Sequence, residues 1–172
     1  MSGVEENEMS MSSWDTLARE AARGDGDSAE LSSLRQLLTF TVAGTPYAVP
    51  VESVREIVRI RPITPVPRTR PDVRGVISLR GEIIQVVDLR LRLGLPAAEI
   101  TRASRIVVIH ADDERVAGIL VDAVNEVLRV TEDAILPPAS GETSTVESLC
   151  VRGDQFVSMI DLERALDIDA EP

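Results

Sequence analysis

The sequence has 172 residues, of which 44% are hydrophobic and only 2% are aromatic, so its core must be aliphatic. The formal net charge of −11 argues against general affinity for nucleic acid or anionic membranes, because both depend on basic residues neutralising phosphates. All 18 basic residues are Arg, and the absence of Lys excludes Schiff-base catalysis and the P-loop. A single Cys, no secretory signal pattern and no apolar run long enough to span a membrane predict a cytoplasmic protein without direct membrane insertion.

Residues 1–34 contain eight acids against two Arg, and this composition predicts a mostly disordered extension. Apolar residues recur at helical spacing after Ser12, so we predict a short amphipathic helix over residues 12–23. Trp14 and Leu17 share its apolar face. An isolated helix of this length is marginal in water, so this face must dock to persist, either on the protein's own barrels or on another protein; the remaining alternative is an idle disordered tail. We predict that this element is dispensable for the core fold.

The next segment has the pattern of short strands separated by turns. Residues 37–42 and 47–51 are predicted to form a hairpin around a Gly-containing turn, and residues 57–60 extend again after one helical turn. Prolines recur through residues 61–74, which predicts a stiff arm without regular structure that carries several Arg.

The stretch from Gly75 to Leu95 contains two β-branched runs around Arg80-Gly81, which predicts a hairpin with Gly81 at positive φ. Both runs are almost continuously apolar, and this indicates strands covered on both faces, as in a small barrel. Asp88, and Asp161 later in the chain, stand where helix N-caps are expected.

A second copy of this unit follows in the chain. Residues 49–60 align with residues 119–130 at a constant offset of 70. The aligned pairs include Val54 with Val124, Glu56 with Glu126, and Arg59 with Arg129. A repeat of this length indicates a duplicated domain. We therefore predict a mainly β domain over residues 35–167, with barrel one at about 36–95, barrel two at about 104–160 and a C-terminal helix at about 161–167.

Catalytic constellations are missing from the sequence. His110 is the only His and precedes an acidic turn, so we expect a solvated strand end, and Cys150 is expected to be a small core residue. We predict no enzyme activity, cofactor or metal. Residues 55–80 carry seven Arg and two acids, a local charge of +5 against −16 elsewhere, which favours an acidic protein surface as partner.

Three stretches carry a family resemblance: ITPVP at residues 63–67, GVISLRGEIIQVVDLRLRLGL at residues 75–95, and GILVDAVNEVLRV at residues 118–130. They resemble the CheW family, the coupling proteins of bacterial chemosensory arrays, over about residues 35–167. The resemblance implies two intertwined five-stranded SH3-like barrels and no catalysis. It also implies partners: the cytoplasmic tip of chemoreceptors and the regulatory domain of a CheA-type histidine kinase. Ser78 departs from the Asn that the family commonly has before Leu-Arg-Gly.

The resemblance implies residue roles by position. A receptor-binding groove would be lined by Val54, Ile57, Gly75, Arg80, Leu120 and Val121. A kinase-binding surface on the first barrel would include Glu56, Val58 and Pro65. The resulting hypothesis is a non-catalytic adaptor, recruited to receptor arrays, that couples receptors to the kinase. The alternative is an accessory or competing CheW-like protein that binds receptors without efficiently supporting the kinase.

Overall fold

The computed structural model describes residues 34–138 and 145–167, which form a mainly β structure with short helices. The predicted helix at 12–23, with Trp14 and Leu17, lies outside the described residues. The strands are β1 (Leu34–Val42), β2 (Thr45–Pro50), β3 (Val54–Arg59), β4 (Val73–Leu79), β5 (Glu82–Asp88), β6 (Arg105–His110), β7 (Val116–Val121), β8 (Ala123–Thr131), β9 (Ile135–Leu136), β10 (Val146–Arg152) and β11 (Gln155–Ile160). The α-helices are α1 (Leu89–Arg92) and α2 (Leu162–Ala165), and single 3-10 turns occupy Val51–Ser53 and Glu132–Ala134.

The strands form two sheets, and the two halves of the chain exchange strands between them. One sheet has the order β8-β1-β2-β11-β10-β9 and the other has the order β3-β6-β7-β5-β4. Four pairs join the two halves: β3 with β6 and the parallel pair β5 with β7 in one sheet, and β1 with β8 and the parallel pair β2 with β11 in the other. The ranges 36–95 and 104–160, expected to be one barrel each, therefore do not coincide with the two sheets, whereas the mainly β fold class is confirmed.

Apolar side chains form three clusters that follow from this arrangement. The inner cluster of the five-stranded sheet includes Ile77, Ile84 and Ile106. The inner cluster of the six-stranded sheet includes Leu37, Cys150 and Met159. A third cluster draws on both sheets, with Phe40 from β1 and Ile119 from β7 among its members, so it holds the two sheets together.

Both predicted helix caps are present. The Asp88 side chain accepts a hydrogen bond from Arg90 N at 3.0 Å, and the Asp161 side chain accepts one from Arg164 N at 3.2 Å. Each carboxylate satisfies an amide that the first turn of a helix leaves without a backbone partner. The duplicated sequence has therefore produced the same capped turn after β5 and after β11.

The Pro-rich arm is more ordered than predicted, because Thr64 pairs with Val76 of β4 through an isolated β-bridge. Thr64 N donates to Val76 O at 2.8 Å, and Val76 N donates to Thr64 O at 2.9 Å. Gly75 makes this approach possible: a Cβ at this position would lie 2.1 Å from Thr64 O, and its φ is +137°. Only glycine combines that backbone angle with that clearance.

Arg92, at the end of α1, ties three segments together. Its side chain is 8% exposed and donates to Asp72 Oδ2 through Nη1 at 2.7 Å. Its Nη2 donates to the carbonyl oxygens of Arg164 and Asp167, both at 2.6 Å. These two carbonyls close the C-terminal end of α2, where backbone acceptors lack helical partners. Arg92 thus fastens the last helix to the end of the Pro-rich arm.

Asp122 joins the turn between β7 and β8 to two other segments. Its carboxylate accepts from Arg90 Nε at 2.9 Å and from Ala43 N at 2.8 Å. The hydrogen bond from Arg90 is the main cause that lowers the pKa of Asp122 below its ordinary value of 3.8. The carboxylate is therefore more strongly acidic in the folded protein than in the unfolded chain.

This lowered pKa predicts how the stabilisation by Asp122 depends on pH. A carboxyl with a depressed folded-state pKa stabilises the fold above its unfolded pKa of about 3.9, and the contribution is lost as the pH falls through the folded pKa. We expect Asp122→Asn to lower the melting temperature by a constant amount at neutral pH, and the difference from the wild type to shrink below about pH 4. A difference that stays constant down to about pH 2.5 would contradict this assignment.

Candidate functional site

The tip of the β4–β5 hairpin is a two-residue turn in which both residues have positive φ. Arg80 has φ 51° and Gly81 has φ 81°. These values match a type I′ turn, whose twist suits the flanking antiparallel strands. The sequence predicted positive φ at Gly81 only. Arg is rare in the left-handed region, so the fold holds this side chain at the tip at some energetic cost.

Side chains of β3 meet this hairpin tip. Arg55 Nη1 lies 2.7 Å from Glu82 Oε2, and Arg80 Nη2 lies 3.2 Å from Glu56 Oε2. Arg61 Nη1 donates to the carbonyl oxygen of Ser78 at 3.0 Å. Because β3 and β4 are the two edges of the five-stranded sheet, these polar contacts close the sheet towards a barrel.

The two members of the Arg80–Glu56 pair differ in exposure. The Arg80 side chain is 73% exposed, whereas the Glu56 side chain is 18% exposed. Glu56 Oε1 is buried and has no hydrogen-bond partner. The Arg80 guanidinium therefore keeps N–H donors that face solvent. The Glu56 carboxylate beside it has a partner for only one of its two oxygens. Such a guanidinium can donate to an incoming acceptor.

The six-stranded sheet contains an ion pair at the related place. Arg152, the last residue of β10, pairs with Glu126 of β8. Glu126 is the residue that the 70-residue repeat aligns with Glu56. In each sheet an Arg near the tip of a hairpin thus pairs with a Glu on an edge strand. The repeated Glu of the sequence therefore has the same ion-pairing role in both sheets.

Side chains of β3 alternate in exposure across a β-bulge near its start. Val54 is opposite Ile109 and Glu56 is opposite Val108, so two steps along β3 match one step along β6. After the bulge, Ile57 points away from the inner cluster and is 41% exposed, whereas Val58 packs against that cluster. Val58 was expected to be exposed on a kinase-binding surface, but it is half-buried, because it lies on the same inward side of β3 as Val54 and Glu56.

Three residues assigned to the receptor groove are buried. Leu120 lies in the inner cluster and is 7% exposed, and Val121 lies between the sheets and is 1% exposed. Gly75 is buried where Thr64 crosses β4. These residues shape the strands beneath the surface and do not line an accessible groove in the described chain. Val54 is half-buried against the cluster between the sheets.

The accessible part of the predicted set is smaller than expected. Ile57 and Arg80 are exposed from the receptor set, and Pro65 is exposed from the kinase set. Among the exposed apolar side chains that the sequence did not reveal, the two most exposed are Ile83 at 71% and Phe156 at 59%. Both lie in an apolar run just after a hairpin turn. The alternation of inward and outward side chains would have identified them only if the pairing register of the strands had been known.

The remaining candidate groups have the predicted ordinary environments. His110 is exposed at the end of β6, and Cys150 is buried in the six-stranded sheet. Burial raises the pKa of the Cys150 thiol, which opposes formation of a nucleophilic thiolate. Within the described ranges, no group of three or more His, Cys, Asp or Glu side chains is placed to hold a metal ion, and no helix is long and apolar enough to cross a membrane.

The sequence model of the CheW-like domain matches residues 36–170, which include nearly all of the described fold. The chain belongs to the CheW family. This CheW-family chain is 35% identical over 143 residues to the chemotaxis protein CheW of Bacillus subtilis (strain 168), an alignment that covers 81% of the chain and 91% of that protein. It is 34% identical over 134 residues to the probable chemotaxis protein CheW of Rhizobium etli, and this alignment covers 75% of the chain and 85% of that protein.

A solved structure agrees with this assignment. The scaffolding protein TtCheW from Thermoanaerobacter tengcongensis superposes with a TM-score of 0.74 at 31% sequence identity. The match covers 80% of this chain and 95% of that chain. The prediction of a non-catalytic, CheW-like adaptor with a mainly β fold is confirmed at the level of the family.

Proposed function

We propose that this CheW-family protein couples chemoreceptors to a CheA-type histidine kinase in a chemosensory array. The observation that carries the proposal is the family match over residues 36–170, which leaves little of the described fold unaccounted for. A protein with this role acts in the cytoplasm and is recruited to the array by its two partners. The structure supports the proposal by offering separate exposed features on β3, on the hairpin tip and on the Pro-rich arm.

The proposed receptor surface combines Ile57 with Arg80, and half-buried Val54 lies on the same strand as Ile57. Ile57 offers an exposed apolar side chain, and Arg80 offers guanidinium donors beside a buried carboxylate. An apolar contact next to a charged hydrogen bond suits a protein partner, because the first supplies affinity and the second supplies orientation.

The proposed kinase surface lies on the Pro-rich arm at Pro65 and its exposed neighbour Val66. The β-bridge of Thr64 holds this part of the arm against β4, so the apolar side chains are presented from a fixed backbone. Pre-ordering of a binding segment reduces the entropy lost on association. Glu56 supports the receptor surface through Arg80 and has little exposed area of its own for a kinase contact.

Replacing Arg80 with Asn is expected to weaken receptor binding about ten- to a hundredfold, the effect of losing a hydrogen bond to a charged group. Asn tolerates the left-handed backbone of the turn, so this variant removes the charge while keeping the hairpin. Binding is measured by co-sedimentation with vesicles carrying the cytoplasmic fragment of a chemoreceptor. Arg129→Asn, at the exposed aligned position of the repeat pair Arg59/Arg129, is the charge-matched control. Unchanged binding by the Arg80 variant would exclude Arg80 from the receptor contact.

A further inference from the structure

Three arginines converge beside β3 without any carboxylate. A shallow depression of about 410 Å³ is lined by Arg59, Ile60, Thr101, Arg102, Ser104 and Arg105. We call it the arginine depression. Arg59 of β3 stands directly opposite Arg105 of β6 in the antiparallel register. Like charges in directly opposed positions destabilise a sheet, so this arrangement does not contribute to folding.

The charges of the arginine depression are uncompensated within the described chain. No hydrogen bond or ion pair joins the side chains of Arg59 or Arg102 to another residue in residues 34–138 and 145–167. Arg105 Nη1 donates to the carbonyl oxygens of Arg102 and Ser104 at 2.7 and 2.8 Å, which orients the guanidinium without neutralising it.

Elsewhere in the described residues, arginines commonly have carboxylate partners. Acidic residues outnumber basic ones by 29 to 18, and nine arginines in the described residues have a carboxylate partner. Carboxylates are thus plentiful, yet none lines the depression. A guanidinium matches a carboxylate in shape as well as in charge, because two parallel N–H groups can donate to its two oxygens.

An exposed apolar side chain borders the depression. Ile57 lies two residues before Arg59 on the same face of β3 and is 41% exposed. A ligand that fills the depression with a carboxylate can therefore place an apolar group on Ile57. The net charge of −11 repels extended polyanions at long range, which favours a protein segment with one or two acids over a nucleic acid.

We propose that the arginine depression and Ile57 form a docking site for an acidic segment of a partner protein in which an apolar residue neighbours a carboxylate. The site shares Ile57 with the proposed receptor surface, whereas Arg59, Arg102 and Arg105 lie outside that surface and outside the ion pair of Arg80 with Glu56. The carboxylates of the bound segment neutralise Arg59, Arg102 and Arg105, which have no carboxylate partner within the described residues.

The test titrates the full chain, labelled at isoleucine methyl groups, with the peptide acetyl-Glu-Leu-Glu-Leu-Glu-amide and follows the NMR spectrum. The peptide in which Gln replaces each Glu is the neutral counterpart, and inorganic phosphate is the small-anion probe. We expect the acidic peptide to shift the Ile57 methyl signals and the neutral peptide to leave them in place. Removing both opposed charges with Arg59→Gln and Arg105→Gln should weaken the acidic peptide about ten- to a hundredfold.

Matched variants make the test decisive. Arg129→Gln removes the charge aligned with Arg59 in the other sheet and should leave peptide binding unchanged. The double variant should melt no lower than the wild type, because it relieves the repulsion between Arg59 and Arg105. The proposal is overturned if the acidic peptide produces no shift, if phosphate alone reproduces the shift, or if Arg129→Gln weakens the peptide equally.

Discussion

Replacing Gly75 with alanine is expected to lower the free energy of unfolding by about 3 kcal/mol or more, from backbone strain together with loss of the arm's hydrogen bonds. The new Cβ would lie 2.1 Å from Thr64 O and 2.7 Å from Thr64 C, distances that no real side chain tolerates. Both atoms belong to the backbone, so the arm itself must move away from β4.

Thermal unfolding and amide hydrogen exchange measure this result. The amides of Thr64 and Val76 should lose protection in Gly75→Ala, because they donate the two hydrogen bonds of the bridge. Gly94→Ala is the matched control, since Gly94 also has positive φ, at 75°, but has open space around it. If both variants lose the same stability, the contact with Thr64 does not matter.

Replacing Arg92 with leucine is expected to cost about 3 to 5 kcal/mol, the usual penalty for removing one partner of a buried ion pair. The variant removes the donor of Asp72 Oδ2, so this carboxylate, which is 7% exposed, keeps only the longer contact of its Oδ1 with Arg70 Nε at 3.3 Å. It also leaves the carbonyl oxygens at the end of α2 without their donor. The melting temperature should fall by roughly 10 °C or more. Part of the loss should be recovered when Asp72→Asn is added, because the buried charge is then removed too.

Two further variants identify the cause of the Arg92 effect. Arg92→Lys keeps the charge but cannot donate to three acceptors through a planar fork, so its stability should lie between those of the wild type and Arg92→Leu. Arg129→Leu, a change of the same kind at an exposed strand position, should alter stability by less than about 0.5 kcal/mol. A small effect of Arg92→Leu would mean that α2 is held by its apolar residues alone.

Local patterns in the sequence predicted the local elements of the fold. The β4–β5 hairpin, the caps at Asp88 and Asp161 and the burial of Cys150 all depend on residues close in sequence, so turn and capping rules apply directly. The repeat also predicted related features in both halves, and Glu56 and Glu126 both form an ion pair with an Arg near a hairpin tip.

Long-range features were not predictable from the same patterns. The two parallel strand pairs exchange strands between the halves, and no local signal specifies which hairpin a strand will join. The faces of Ile57 and Val58 were also not predictable, because alternation along β3 assigns the inner and outer side only once its pairing with β6 is known. The contact of Arg80 with Glu56 depends on the curvature of the whole sheet and was missed for that reason.

The proposed site was therefore predicted in part. The resemblance pointed to Arg80 and Ile57, which are exposed, and also to Leu120 and Val121, which are core residues of β7. A residue can align with a binding surface because it supports that surface from below. The burial of a residue distinguishes a direct contact from a supporting role. Neighbouring residues of a central strand are both buried when both faces of the sheet are covered.

Co-sedimentation of a three-component mixture tests the coupling role most directly. Receptor-bearing vesicles, a CheA-type kinase and the chain are mixed and pelleted, and the kinase in the pellet is quantified with and without the chain. We expect the kinase to pellet only when the chain is present. Ile57→Asp should remove the chain and the kinase from the pellet, whereas Val66→Asp should leave the chain in the pellet and remove only the kinase. The coupling role is contradicted if the kinase pellets equally without the chain. The two proposed surfaces are contradicted if a folded Val66→Asp protein retains the kinase and Ile57→Asp remains bound to the receptor.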